Sequence, residues 1–501
     1  KTLPAIPAGK QITISGKVKL SKYIQPGKYN ILFDTDTCNW ITSADSSLTK
    51  SMFAVEKSID IKTDPQICKT PNARLGNING TPVFIVNGKP LTTFNTEVYL
   101  YKEEAKVLHA NIGRAGVDTY LLSFDFIPYL GNGKFDWSLM DQAVTDILVA
   151  NENAYIMLFL SVDGSRNPGL ASCDKEHPEE YCRDASGSID IPAYQGNGTQ
   201  RVPSLASDGW QRRVEYLLKE TIKHVKKSSY AGKVIGYAPC TGITWEWQQW
   251  GSTLSPSTIV YVDYSEPARR AFADFVEKKY INIESLNKAW NMQLKSFDEV
   301  QIPKPEERNR ADFLTFIDPG KSRYESDFRR YYSEALSGAI RRFGKAIKEE
   351  SKGQAITGTY YGYVTYMTGP GRYQVTGHNG VSKYIQSPYL DFAMGPSWYS
   401  DRGIGFGSGF MSTVESFKLH NKLWIDQVDH RTHTFQDGFT PSQDINDDAA
   451  VLMRHYAKSL VTQQSPQVMD FGSGCTLGDP RLLQVIKKYS EIERNMLKVH
   501  R

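Results

Sequence analysis

What this chain lacks narrows the choices before any motif is read. No apolar run among its 501 residues approaches the ~20 needed to cross a bilayer as a helix, so no membrane-spanning helix is expected. Charge of one sign is not in excess: 59 Lys and Arg against 55 Asp and Glu leave a net +4 with no long basic run. That argues against a nucleic-acid partner. Cysteine is sparse, six in all, with no CxxC and no Cys/His spacing of the zinc kind. No glycine-rich phosphate loop follows an apolar run, which disfavours a doubly wound nucleotide-binding sheet. Neither cofactor nor metal is expected, and internal repeats and low-complexity tracts are absent.

The few cysteines still carry information. Cys173 and Cys182 bracket the polar stretch CDKEHPEEYC and are expected to close a small disulfide loop. Cys38 and Cys68 form a second possible pair within the N-terminal segment, whereas Cys240 and Cys475 end apolar runs and read as buried thiols. The chain opens at Lys1 with neither Met nor an apolar leader. Together with the disulfides this gives an expectation of a secreted, periplasmic or cell-surface protein whose signal peptide has been removed.

The pattern changes once along the chain. Residues 1–75 alternate apolar and polar in short bursts such as QITIS, YNILF and SIDI, separated by turn formers, and read as a small antiparallel β domain. That domain is either an accessory sugar-binding module or a structural cap. Residues 76–501 open with a hairpin signal, PVFIV and PL around Asn87-Gly88-Lys89. Apolar runs then alternate with amphipathic helices. The runs are a first strand near Leu91–Phe94, then Asp118–Phe124, Ala154–Leu160, Val234–Ala238, Ala355–Tyr361, Leu390–Met394, Leu423–Ile425 and Gln467–Phe471. Helices are expected over 136–150 (Leu139, Ala143 and Ile147 inward), 209–227, 266–280, 322–350, 445–463 and 479–499. About eight β–α units predict a (β/α)₈ TIM barrel. Polar, Gly- and Tyr-rich inserts at 163–207, 252–265 and 364–387 follow strands, so they belong to the C-terminal face where barrels build their sites.

One stretch organises the rest: KVIGYAPCTGITWEWQQWG, residues 233–251. A buried strand ends, and the chain delivers one carboxylate, Glu246, between Trp245 and Trp247. Desolvation by the indoles disfavours the charged form and prepares a general acid, and indole faces suit sugar rings. The competing reading is a half-exposed glutamate in a loop that is merely rich in tryptophan. Asp125 and Asp163 end the second and third strands, where carboxylates hold sugar hydroxyls or cap loops. Tyr360, Tyr361 and Tyr363 either stack on sugars or fill the barrel. Phe471, ending the eighth strand, is placed at the pocket floor.

The seventh strand reads KLWIDQVDHRTH, residues 422–433. Taken with the strand order, the NGKP hairpin and the acid after strand four, residues 80–501 resemble the barrel glycosidases of the clan that includes family 42 β-galactosidases. The resemblance implies a retaining glycoside hydrolase acting on β-galactoside linkages in an oligo- or polysaccharide. Glu246 would be the acid/base. The position now held by Gln427 would be the nucleophile, where family-42-like proteins carry Glu. Trp398 and Tyr399 close the sixth strand, where a clan tyrosine hydrogen-bonds the nucleophile; the alternative is that both are packing at the barrel top.

Glutamine cannot attack, and three readings stay open. A Glu→Gln change was introduced at 427 to trap substrate. Or Asp429, two residues on and on the same face of a regular strand, serves instead; Asp426 points to the opposite face. Or the chain binds glycans on a dead hydrolase scaffold. The clan also carries Asn before its acid, and this chain has Trp245 there, so sugar identity does not transfer. His430 and His433 are too few for a zinc site; with Arg431 they read as a hydrogen-bonded support or as contacts to hydroxyls or to an acidic substituent.

Overall fold

The computed structural model describes residues 21–24, 27–33, 53–61, 69–99, 103–124, 128–165, 168–193, 198–252, 259–313, 316–365, 375–434, 442–469 and 476–499. Eight strands form the centre: β1 (Asn95–Tyr99), β2 (Thr119–Phe124), β3 (Tyr155–Ser161), β4 (Val234–Cys240), β5 (Ile356–Tyr360), β6 (Phe392–Pro396), β7 (Leu423–Val428) and β8 (Ser465–Val468). Each pairs in parallel with the next, and β8 returns to β1 through Gln467 opposite Asn95 and Val468 opposite Thr96. The barrel is closed, as the count of β–α units requires.

The strands are apolar because both their faces are covered. YIMLFLS of β3 is buried from Ile156 onward and VIGYAPC of β4 is buried at every position, since helices pack outside while side chains fill the inside. Each strand is followed by its helix: α1 (Glu103–Arg114), α2 (Ser138–Ala150), α3 (Asp208–Lys227), α4 (Arg323–Glu350), α5 (Val381–Ile385), α6 (Val414–Leu419), α7 (Ile445–Thr462) and α8 (Pro480–Val499). Ser207 caps α3, its hydroxyl accepting from Trp210 N at 3.1 Å, and the helix buries Trp210, Val214, Leu217, Leu218 and Ile222. Packing decides the face of α2. Met140, Ala143, Val144 and Ile147 point inward while Leu139 is 42% exposed, one position away from the expected stripe.

Two strands are displaced from expectation. The first is Asn95–Tyr99 rather than Leu91–Phe94, and the eighth is Ser465–Val468 rather than Gln467–Phe471. The physical reason is the same in both: the strands begin with or consist of buried polar residues, Asn95, Thr96 and Glu97 in the first and Ser465 in the eighth, and a search for apolar runs passes over them.

Before the barrel, Gly27–Phe33 pairs antiparallel with Phe53–Ile61. Ala73–Ile78, Thr81–Val86 and Lys89–Leu91 then form a three-stranded sheet. Its second turn is the expected hairpin, with Asn87 and Gly88 both left-handed at φ 51° and 81°, the requirement of a type I′ turn. Ala73 N donates to Gln354 O at 3.0 Å, just before β5, and Phe84 and Val86 join the barrel core. This sheet therefore closes the N-terminal end of the barrel.

Cys173, Cys182 and Cys240 are free thiols, so the expected Cys173–Cys182 disulfide is not formed. Their environments point apart. Cys182 is buried among Ile191, Val202, Ile243 and Trp250, whereas Cys173, on the helix Pro168–Glu176, lies 3.8 Å from the Tyr129 hydroxyl. Each thiol is committed to its own surroundings, and a bridge needs the two Cβ atoms brought within about 4.5 Å of one another. Cys240 is a buried thiol, as expected. Cys38, Cys68 and Cys475 lie outside the described residues.

Candidate active site

The exit of β4 is a knot of unusual backbone. Trp247 N donates back to Thr241 O at 2.8 Å, and Ile243 N to Gln248 O at 3.1 Å. Closing so short a loop puts Thr244, Trp245 and Trp247 in left-handed conformations, at φ 58°, 68° and 56°. Non-glycine residues there cost about 1–3 kcal/mol each and persist only where their surroundings hold them, commonly at working sites. The hold is visible: the Trp247 indole is fully buried, donates to Pro239 O at 2.9 Å and packs on Phe343. Gly242, at φ 81°, leaves no room for a side chain, since a Cβ would sit 2.3 Å from Gln248 O.

The knot presents Glu246. Its Oε2 accepts from Thr244 Oγ1 at 2.5 Å and Gln248 Nε2 at 3.0 Å; its Oε1 accepts from Tyr363 OH at 3.0 Å. Burial pushes its pKa up to about 7. The three donors pull it down by less, and the charge of Glu97 adds to the rise. Among the described residues Glu246 makes no ion pair. It is a carboxyl poised to hold or release a proton near neutral pH.

Two further groups fix it. His378, held neutral by burial, with its pKa lowered to about 3, accepts at Nδ1 from the backbone N–H of Gly362 and Tyr363 at 3.2 and 3.1 Å. That fixes the exit of β5, and with it Tyr363. Gly395 on β6 gives the Tyr363 ring its place, since a Cβ there would lie 2.4 Å from the ring edge. Asp163, expected as a sugar ligand, is buried; it accepts from Thr241 Oγ1 at 2.7 Å and from Ser165 N at 2.8 Å. It braces the start of the knot.

On β7, strand alternation sorts the side chains. Asp426 faces outward to Lys458 at 2.8 Å and Ser397 Oγ at 3.0 Å. Gln427 faces inward, donating from Nε2 to Glu97 Oε2 at 2.7 Å and to Tyr360 OH at 2.9 Å. Asp429 does not open on the same cleft as a lone carboxylate: it is paired with Arg431 and lies 3.4 Å from Arg402. Glu97, from β1, also accepts from Ser123 Oγ at 3.0 Å and from Tyr360 OH at 3.3 Å. Sequence reasoning missed Glu97 altogether. The available signal was a glutamate inside a short polar segment directly after the N-terminal hairpin.

The remaining candidates separate by depth. Tyr361 is fully buried behind the barrel wall, its hydroxyl donating to Gly377 O at 3.0 Å and its ring stacked on Tyr384. Like Trp247, it is drawn into packing rather than toward the barrel mouth. Trp245 is also buried, within the main core cluster. Trp398 and Tyr399 are partly exposed after β6, with the Arg402 guanidinium 4.1 Å from the Tyr399 ring centre. Asp448 joins the two histidines, accepting from His433 Nδ1 at 2.6 Å and lying 3.2 Å from His430 Nε2. The two histidines thus share one buried carboxylate, while Arg431 is paired with Asp429. Asp125 and Phe471 lie outside the described residues.

The family model of the glycoside hydrolase family 42 β-galactosidases matches residues 257–389, a stretch lying between Glu246 and Gln427 that contains neither. The chain resembles the family 42 barrel glycoside hydrolases. The catalytic domain of β-amylase from Paenibacillus polymyxa superposes with a TM-score of 0.60 at 16% identity, over 80% of this chain and 98% of that one. The β-galactosidase of the psychrophilic Marinomonas ef1 gives 0.53 at 16%, over 81% of this chain and 59% of that one. That of Halorubrum lacusprofundi gives 0.53 at 15%, over 80% and 57%. A β-1,2-glucosyltransferase of Ignavibacterium album is 29% identical over 89 residues, which is 17% of this chain and only 12% of that enzyme. The chain thus spans less than 60% of the two galactosidases. The structural likenesses establish the barrel, and the family match supports a glycosidase with a carbohydrate substrate.

Proposed function

We propose that this chain is built as a retaining glycoside hydrolase for β-galactoside linkages in oligo- or polysaccharides, with Glu246 as acid/base and position 427 as the nucleophile site. The observation that carries the reading is Glu246: a carboxyl raised to about 7, free of cations among the described residues, and fixed by three donors at the exit of β4. In such a mechanism the acid protonates the leaving oxygen while a second carboxylate ~5–5.5 Å away attacks the sugar. Gln427 keeps the shape of that second group but not its charge, so the chain as it stands binds sugar and turns it over slowly or not at all. Asp429 is a poor substitute, because two guanidiniums already neutralise it. An exported location stays part of this proposal, although the free Cys173 and Cys182 thiols remove one of its supports.

Isothermal titration with galactosides, followed by assay of Gln427→Glu on aryl β-galactosides, tests the reading. Binding by the parent and cleavage with retained anomeric configuration by the variant are expected. Hydrolysis by the parent that Asp429→Asn abolishes would move the nucleophile to Asp429. The neutral amide favours a second reading, a glycan-binding protein on a hydrolase scaffold. It prevails if a bound glycan is cleaved by neither form.

A further inference from the structure

The side chain at position 427 is not merely a glutamate shape without charge; its hydrogen bonds are used up in one direction. The two Nε2 hydrogens of Gln427 go to Glu97 Oε2 at 2.7 Å and to the oxygen of Tyr360 at 2.9 Å. The Tyr360 hydroxyl in turn donates to the same Glu97 carboxylate, at 3.3 Å, and Ser123 Oγ supplies another donor at 3.0 Å. A carboxylate only accepts, so the amide must present its NH₂ here. Gln427 and Glu97 are both 6% exposed, equally deep in the barrel mouth. Two carboxylates in these places would stand at hydrogen-bond distance inside a buried site, where only one can ionise.

We propose that Glu97 is the residue that carries the negative charge on this side of the site, and that Gln427 and Glu97 are a matched pair in which each fixes the other. This rests on the hydrolase reading only for its activity arm. The pair allows one carboxylate at a time. In this chain it sits on β1, and a catalytic carboxylate on β7 requires its neighbour on β1 to be neutral. Glu97 is a positioning residue for whatever stands at 427, and the charge at 427 is set by what stands at 97.

The test is a swap. Gln427→Glu alone places two carboxylates in contact, and one keeps a proton well above the ordinary carboxyl range. A carboxyl whose folded pKa is raised loses stability as pH climbs from its unfolded value toward the folded one. The variant is therefore expected to melt several degrees below the parent at about pH 8 and close to it at about pH 5. The double variant Glu97→Gln/Gln427→Glu reverses the polarity of the bond. It is expected to regain the parent's melting temperature at both pH values, while Glu97→Gln alone stays below the parent at both. In the activity arm, the double variant should cleave an aryl β-galactoside at least tenfold faster than Gln427→Glu at neutral pH, and the single variant should gain activity as pH falls. Equal melting curves for Gln427→Glu and the parent across the whole range would overturn the pairing. So would full activity of Gln427→Glu with no advantage for the swap. If the melting pattern appears as expected and no variant cleaves any glycoside, the pair stands and the hydrolase reading falls.

Discussion

The exits of β4 and β7 bring carboxyl groups to the same end of the barrel and treat them in opposite ways. After β4, Glu246 is desolvated, held by two hydroxyls and an amide, and left without a cation among the described residues. On and after β7 the carboxylates are paired or tied down: Lys458 sits on Asp426, Arg431 and Arg402 on Asp429, and Asp448 is held by hydrogen bonds to His430 and His433. An uncompensated buried carboxyl is expensive and moves its pKa toward neutrality; a cation beside it opposes that shift. The backbone repeats the contrast. The β4 exit holds three left-handed non-glycine residues within four positions, and none of residues 423–434 is left-handed. Strain and an unpaired carboxyl coincide on one side only, which is what the proposed acid role of Glu246 asks of that side.

The sharpest break of this contrast is Glu246→Gln. General acid assistance is worth ~10²–10⁴-fold. In the background that turns over, the loss should be at the upper end for alkyl galactosides and small for dinitrophenyl galactosides, whose leaving group needs no proton. Below pH 7 Glu246 is largely protonated, so kcat/KM should fall as pH rises through about 7, and the variant should lose that limb. Equal loss on both substrates would place Glu246 outside proton transfer.

Next comes Lys458→Met, which makes β7 resemble β4. Asp426 is buried, and even with Lys458 beside it desolvation holds its pKa above the usual range. Removing one partner of a buried pair costs about 3–5 kcal/mol. The sign follows from the raised folded pKa. The penalty is full at neutral pH and shrinks as pH falls toward the ordinary carboxyl value, where Asp426 is protonated in both states. Urea denaturation at about pH 7 and pH 4 reads it; a penalty independent of pH would show that Asp426 is not the group left uncovered.

How much of this was legible in the sequence follows the same divide. The (β/α)₈ fold, the helices and Glu246 were legible because apolar runs, amphipathic stripes and a glutamate between two indoles leave local marks. The role of Trp247 was misread, because its left-handed backbone turns the indole back onto Pro239, and no periodicity records that. Asp429 was placed by strand alternation, yet its partner Arg402 comes from the connection after β6. Glu97 was illegible for a physical reason. The inside of a barrel is lined by residues from every strand, so a polar inward residue on β1 is explained only by the side chains of β2, β5 and β7 that meet it. The disulfide failed similarly: a spacing of nine residues permits a bridge, but the direction of each Cβ belongs to the tertiary structure.

The smallest expected effect is also the most specific. Tyr363→Phe keeps the ring that packs against Gly395 and His378 and removes only the hydroxyl that donates to Glu246 Oε1 at 3.0 Å. That bond favours the ionised carboxyl, so it opposes the burial that raises the pKa. Without it the pKa must rise further. A hydrogen bond to a charged group is worth about 1.5–3 kcal/mol, and one pKa unit corresponds to ~1.4 kcal/mol, so a rise of about one unit is expected once Thr244 and Gln248 take up part of the load. The δ-carbon of Glu246 can be titrated by carbon NMR in the parent, the Tyr363→Phe variant and Glu246→Gln as the assignment control, with no substrate and no need for turnover. An upward shift confirms that the β5 exit tunes the acid of the β4 exit. A shift of the other sign would mean that the hydroxyl accepts a proton from a neutral Glu246 rather than donating to its carboxylate, so that Tyr363 stabilises the acid form and the electrostatic contrast between β4 and β7 is larger than burial alone produces.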